Sequence, residues 1–205
     1  MNFEDLEARL RTRLTPLAGA HEAPPRSDND LNPDWPTPAS RALTPAAVLA
    51  PIVRRRTGWT MLFTRRAEET PAHPGQISFP GGRVQASDAG PVDTALRETG
   101  EEIGLERTFI EPIGGFDTYE TGTGYRITPI VGLVETGFSL RLDPREVAEA
   151  FEVPLSFLFD PANHERREGE WRGRRGYYYA MPYEGRFIWG ATAAMVQALY
   201  ERLYE

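Results

Sequence analysis

Apolar residues recur at two different spacings along this chain. Ala46 to Val53 is an almost unbroken apolar run of strand length. Trp59–Thr64 follows it across the polar turn Arg54–Gly58, and the two predict a strand and its return strand. Phe109–Tyr119 and Tyr125–Val134 predict two more strands around the glycine-rich turn Glu120–Gly124. Val147–Val153 predicts another, ended by Pro154, and Tyr177–Tyr183 with Arg186–Trp189 a late hairpin. Helical spacing occurs in three places. Phe3, Leu6, Leu10 and Leu14 predict a short amphipathic helix over 3–14, and a last helix is expected from about Ala191 to Leu203. The strongest pattern lies between Pro91 and Gly104. Between the first helix and the first strand stand Pro16, Pro24, Pro25, Pro33, Pro36, Pro38 and Pro45, so 15–45 is expected to be an extended arm or linker rather than a core element. Strands outnumber helices and do not alternate with them regularly. This predicts an α+β, sandwich-like fold rather than a βαβ repeat.

Composition narrows the function classes. The chain has 205 residues, 40% hydrophobic and 26% charged, which suits one domain with a short extension. It has no cysteine, which excludes a disulfide scaffold, a Cys-ligated zinc and a Cys nucleophile. His21, His73 and His164 lie far apart and suggest no His-rich metal site. A net charge of -7 speaks against binding nucleic acid through a basic surface. No apolar run approaches the roughly 20 residues that span a bilayer. The first residues are amphipathic and acidic rather than leader-like, so a cytoplasmic protein is expected. All 23 basic residues are arginine, which genomic base composition explains well enough, although arginine forks also suit phosphate.

The chemistry concentrates in 78–105. Pro91 suits a first helical position after Gly90, and Gly104 suits a helix end. At one residue per 100°, Val92, Ala95, Leu96, Thr99 and Ile103 form a core face. Arg97, Glu98, Glu101 and Glu102 fall within about 140° of one another on the other side. A solvated face with an Arg97–Glu101 pair would also account for these residues. Against that, three carboxylates within two turns repel one another unless a cation sits between them, and hard divalent cations take such oxygen ligands. The helix also follows Phe79-Pro80-Gly81-Gly82, whose glycines let backbone approach a ligand.

This stretch resembles the Nudix box. Gly82 fits its first glycine, and Arg97, Glu98, Glu101, Glu102, Gly104 and Leu105 fit its end with the right spacing. Asp88 stands where the box has Glu, one extra residue separates it from Arg97, and Thr99 replaces an aliphatic. Upstream, Leu62, Thr64, Ala67, Gly75, Phe79, Pro80, Gly81 and Gly82 are similar to the signature of the coenzyme A pyrophosphatases within that family. Pro71 departs, standing where that signature has Arg. The likeness covers about 46–200. It therefore implies an N-terminal helix and Pro-rich arm over 1–45 and a Nudix hydrolase domain over 46–205. The implied fold is an α/β/α sandwich, a central mixed β-sheet flanked by helices.

The resemblance also implies a reaction: water attacks a diphosphate linkage, and coenzyme A would yield 3′,5′-ADP and 4′-phosphopantetheine. Mg²⁺ or Mn²⁺ is the implied cofactor, held by Glu98 and Glu102, with Glu101 a third ligand or a base and the Gly82 carbonyl a further ligand. Arg97 would orient the carboxylates. Glu146 is the candidate general base outside the box, against the plain reading of a surface carboxylate before a strand. Gly81 and Gly82 would meet substrate, and Arg65 and Arg66 are candidates for the 3′-phosphate or, equally, solvated strand-end arginines. His73 and Tyr177–Tyr179 are explained as well by exposure and strand packing. The partner expected is a small-molecule substrate, with no nucleic acid and no membrane. The arm can pack on a second copy, as in a homodimer, or cross its own domain. Rival readings are a Nudix hydrolase for another nucleoside diphosphate derivative such as ADP-ribose, and a non-catalytic Nudix-like binding module, which the three retained carboxylates speak against.

Overall fold

Strand β2 (Thr44–Arg55) is the spine around which the rest is arranged. The computed structural model describes residues 5–35, 42–171 and 173–205. β2 turns back antiparallel into β3 (Gly58–Arg66), as the hairpin pattern predicts, and runs parallel to β8 (Tyr125–Val134) from Thr44↔Tyr125 to Val53↔Val134. Parallel neighbours need a long crossover. Here it carries β4 (Ile77–Ser78), β5 (Gly81–Arg83) and helix α2 (Pro91–Ile103). β4 and β9 (Val147–Pro154) pair with β3, and β5 pairs with the first half of β2. β6 (Ile110–Gly115) and β7 (Thr118–Glu120) pair with β8, so the single strand expected over Phe109–Tyr119 is broken at Phe116–Asp117. With β1 (Pro25–Ser27) on β7, nine strands form one mixed sheet.

Alternation along the strands sorts the core into two layers. Ala47, Leu49, Val53, Leu62 and Ile130 face α2, meeting its Ala95, Leu96 and Ile103. Val48, Ala50, Ile52, Met61, Phe63 and Val131 face the other way, onto α1 (Leu6–Arg13) and α4 (Gly190–Tyr204) through Leu6, Leu10, Val196, Leu199 and Leu203. The result is the helix–sheet–helix sandwich. A second, three-stranded antiparallel sheet of β10 (Glu165–Trp171), β11 (Arg174–Tyr183) and β12 (Arg186–Trp189) adjoins it. A short helix α3 (Leu155–Leu158) follows β9.

Two expectations need correction. β10 was not foreseen, because Glu-Arg-Arg-Glu-Gly-Glu carries no apolar alternation; it is held by its backbone ladder to β11. The Pro-rich stretch is not a free linker. Ala20 and Ala23 are buried, β1 extends the sheet, and Asn32 bridges to β11 by donating to the Tyr177 carbonyl (2.9 Å) and accepting from its N–H (2.7 Å). Its prolines delimit short pieces that pack on their own domain. Phe3, Pro36 and Pro38 lie outside the described residues.

Candidate active site

Gly81 and Gly82 bring backbone to within touching distance of α2. Gly81 has φ +156°, and a Cβ there would run into the Ala47 carbonyl on β2. A Cβ on Gly82 would lie 2.5 Å from Cδ of Glu98 and 2.6–2.7 Å from its oxygens. The Glu98 carboxylate therefore rests on a bare α-carbon that no other residue provides. The Gly81 N–H in turn donates to Oε2 of Glu102 (3.3 Å).

α2 itself starts as predicted, with Pro91 after Gly90, and ends on Gly104 at φ +65°. Thr99 replaces an aliphatic without orphaning its hydroxyl, which donates to the Ala95 carbonyl (2.7 Å). Arg97 is fixed on several sides. Its fork engages Asp88 through Nε–Oδ1 (2.9 Å) and Nη2–Oδ2 (3.0 Å). Nη1 donates to Glu98 (2.7 Å) and Glu101 (3.0 Å), and Nη2 also to the Arg83 carbonyl (3.1 Å). Asp88 accepts further from the Gln85 N–H and the Thr94 hydroxyl. Hydrogen bonding to Arg97 holds the Asp88 carboxyl well below the usual carboxylate range. The shorter acid in the loop thus braces Arg97, and the extra residue after it leaves the helix undisturbed.

The far end of the acidic face is different. Glu102 is buried, 4% exposed, and burial pushes its carboxyl up to about 8, against the pull of the Gly81 N–H. Glu98 and Glu146 add like charge, and Arg66 opposes them. Glu98 is raised too, by burial first, with Arg97 opposing and Glu101 and Glu146 adding repulsion. Glu146, candidate base on the loop before β9, is therefore brought up to Glu98 and Glu102; its carbonyl accepts from the Ala67 N–H (2.9 Å) at the end of β3. Glu101 points outward, its side chain 59% exposed.

The two arginines of β3 are separated by strand alternation. Arg66 lies on the α2 side with Leu62 and acts on Glu102. Arg65 lies on the opposite side with Phe63, where its Nε donates to Glu149 (3.1 Å), which also accepts from Arg186 (2.6 Å). Arg65 is not assembled with the carboxylates. Tyr177–Tyr179 lie on β11, in the second sheet. Asp88, standing where the box has Glu, supports Arg97 despite its shorter side chain.

Among the described residues no three His, Asp or Glu side chains converge as a finished cation site. The donor set nevertheless fits a hard divalent ion: a half-buried and a buried carboxylate one turn apart, both raised chiefly by burial, beside the backbone of Gly81 and Gly82. No helix among the described residues is long and apolar enough to cross a membrane.

The Nudix domain family model matches residues 43–173. The chain belongs to the Nudix family. A protein called "Uncharacterized Nudix hydrolase NudL" from Photorhabdus laumondii is 37% identical over 158 residues, covering 77% of this chain and 84% of that one. One of the same name from Enterobacter sp. is 36% identical over 154 residues, covering 75% and 80%. A solved C. elegans Ap4A hydrolase is similar at TM-score 0.46 and 16% identity, over 54% of this chain and 80% of that chain. As a Nudix hydrolase the chain acts on phosphoric anhydrides of nucleoside diphosphate derivatives, a class that generally uses divalent metal ions.

Proposed function

We propose that this Nudix hydrolase is a coenzyme A pyrophosphatase, cleaving coenzyme A or its acyl forms to 3′,5′-ADP and 4′-phosphopantetheine (or its acyl form) in the cytoplasm. One observation carries the reading. The stretch Leu62–Gly82, which is similar to the coenzyme A pyrophosphatase signature, reaches the carboxylate site twice: Arg66 acts on Glu102 from one end, and Gly81 and Gly82 meet Glu102 and Glu98 at the other. Gly81 and Gly82 of that signature are thus residues a bound diphosphate would lie beside.

In this reading Glu98, Glu102 and the Gly82 carbonyl hold Mg²⁺ or Mn²⁺, with Glu101 at the solvent side. The bound ion supplies neutralisation of diphosphate charge and a water of lowered pKa. Arg97, braced by Asp88, keeps Glu98 and Glu101 in orientation. Glu146 takes a proton from the attacking water. The water oxygen bonds to one phosphorus as the bridging P–O bond breaks, and the electron pair leaves with the other phosphate.

The test is hydrolysis of coenzyme A against ADP-ribose, with Mg²⁺, with Mn²⁺ and with chelator, products identified by mass. Coenzyme A cleaved more efficiently, in metal only, supports the reading. Faster cleavage of ADP-ribose overturns the substrate assignment, and undiminished cleavage in chelator overturns the metal.

A further inference from the structure

We propose that Arg66 is a catalytic residue that pairs with the scissile diphosphate itself rather than with the 3′-phosphate of coenzyme A. The choice of coenzyme A as probe rests on the function proposed above; the placing of Arg66 does not.

Adjacent in sequence, Arg65 and Arg66 invite a shared role as a pair of phosphate ligands. The strand separates them. Arg65 is paired with Glu149, whose other oxygen is taken by Arg186 at 3.1 and 2.6 Å, and lies 3.8 Å from Glu68, so its charge is already engaged on the far side of the sheet. Arg66 shares the α2 side with Leu62 and pairs across the ladder with Val147, which packs in the same α2-facing layer. It is also held in place. Its N–H donates to the Gln76 carbonyl (2.9 Å), and its Nε donates to the Ala72 carbonyl (3.1 Å). The plane of the guanidinium is thereby set from the loop side, while its two terminal nitrogens have no hydrogen-bond partner among the described residues.

The next residue, Ala67, binds the backbone of Glu146. Arg66 therefore stands where the end of β3, the start of β9 and the acidic face of α2 meet. Among the described residues three arginines act on Glu98, Glu102 or Glu146, and one of them, Arg145, is exposed and chelated to Asp143. Arg97 is consumed by Asp88, Glu98, Glu101 and a backbone carbonyl. Arg66 is the arginine acting on the buried Glu102 that keeps both terminal nitrogens free among the described residues.

A diphosphate arriving here meets carboxylates that repel it. A guanidinium with two free N–H edges takes up a phosphate through paired, charge-assisted bonds. As water bonds to one phosphorus and the bridging P–O bond breaks, negative charge grows on the departing phosphate oxygen. A cation fixed beforehand gains interaction at that moment without moving. The 3′-phosphate is chemically similar, but it sits on the ribose, away from the bond that breaks.

The distinguishing experiment compares coenzyme A with 3′-dephospho-coenzyme A, in wild type and in Arg66→Gln, with ADP-ribose as a third substrate. The expected result is a fall in kcat of about 100-fold on both coenzyme substrates alike, with KM moving far less. A loss confined to coenzyme A would overturn the proposal, because Arg66 would then read the 3′-phosphate. Activity within twofold of wild type would overturn it as well. Arg66→Lys keeps the charge without the fork, and should recover part of the lost kcat. Guanidinium ion added to Arg66→Ala should do the same. Failure of both rescues in variants that melt like wild type would assign Arg66 a purely structural role and overturn the proposal. Wild type acting only on ADP-ribose would sink the coenzyme A reading alone; the fall in kcat is then expected, and measured, on ADP-ribose.

Discussion

On the α4 side of the main sheet charge is matched locally; on the α2 side it is not. Arg65, Glu149 and Arg186 share one network, and Arg26, Asp117, Arg202 and Glu201 share another, tying the N-terminal segment to α4. On the other face Glu98, Glu102 and Glu146 put like charge together, one of them buried, and Arg66, which acts on Glu102, is not committed to a carboxylate among the described residues. Buried like charge opposes folding unless something outside the chain neutralises it. The contrast therefore separates what holds the fold from what awaits a cation and an anion.

The comparison breaks most visibly at the carboxylates. Glu98→Gln and Glu102→Gln should each lower turnover by about 1000-fold or more, since an amide keeps the shape and loses the charge. Removing a buried repelling charge should also leave the melting temperature of the metal-free protein unchanged or higher. Near-normal turnover in both variants would remove them as ligands. Leu10→Ala tests the opposite face. It deletes a fully buried side chain between α1 and α4, and should cost about 2–5 kcal/mol in denaturant unfolding while kcat per folded molecule stays unchanged. Arg97→Lys comes next: without the planar fork on Asp88, kcat/KM should drop by about 10- to 100-fold. A silent change would make Arg97 an ordinary surface pair. The smallest effect is expected for Arg186→Ala, about 1 kcal/mol or less in stability with activity intact, because Glu149 keeps Arg65.

What could be read from the sequence follows the strength of local patterning. α2 was legible because core and acidic faces, Pro91 and Gly104 all agree, and Gly82 through Leu105 keep a fixed spacing. β2, β3, β8 and β9 were legible from apolar runs. β10 was not, since its seven residues are chosen by a partner strand rather than by a buried face. The N-terminal segment hid for a similar reason: Ala20 and Ala23 are small, and what buries them lies far off in sequence. At the site, the proximity of Glu146 to Glu102 depends on the β3–β9 pairing and leaves no trace in spacing. The opposed directions of Arg65 and Arg66 follow from their different partners on β9, Glu149 and Val147, at a step where the ladder shifts register.

The packing of α1 against α4 sets an order of events during synthesis. Arg202 reaches the Arg13 carbonyl across 189 residues of chain, and Leu6 and Leu10 share their core cluster with Leu199 and Leu203. α1 lies between the sheet and α4, so until α4 has been made one side of Leu6 and Leu10 stays uncovered. For most of translation it is a sticky amphipathic segment, a candidate for chaperone capture rather than for folding as it appears. Nascent chains stalled before residue 190 should therefore leave Leu6 and Leu10 more open to protease than chains in which α4 is free to pack.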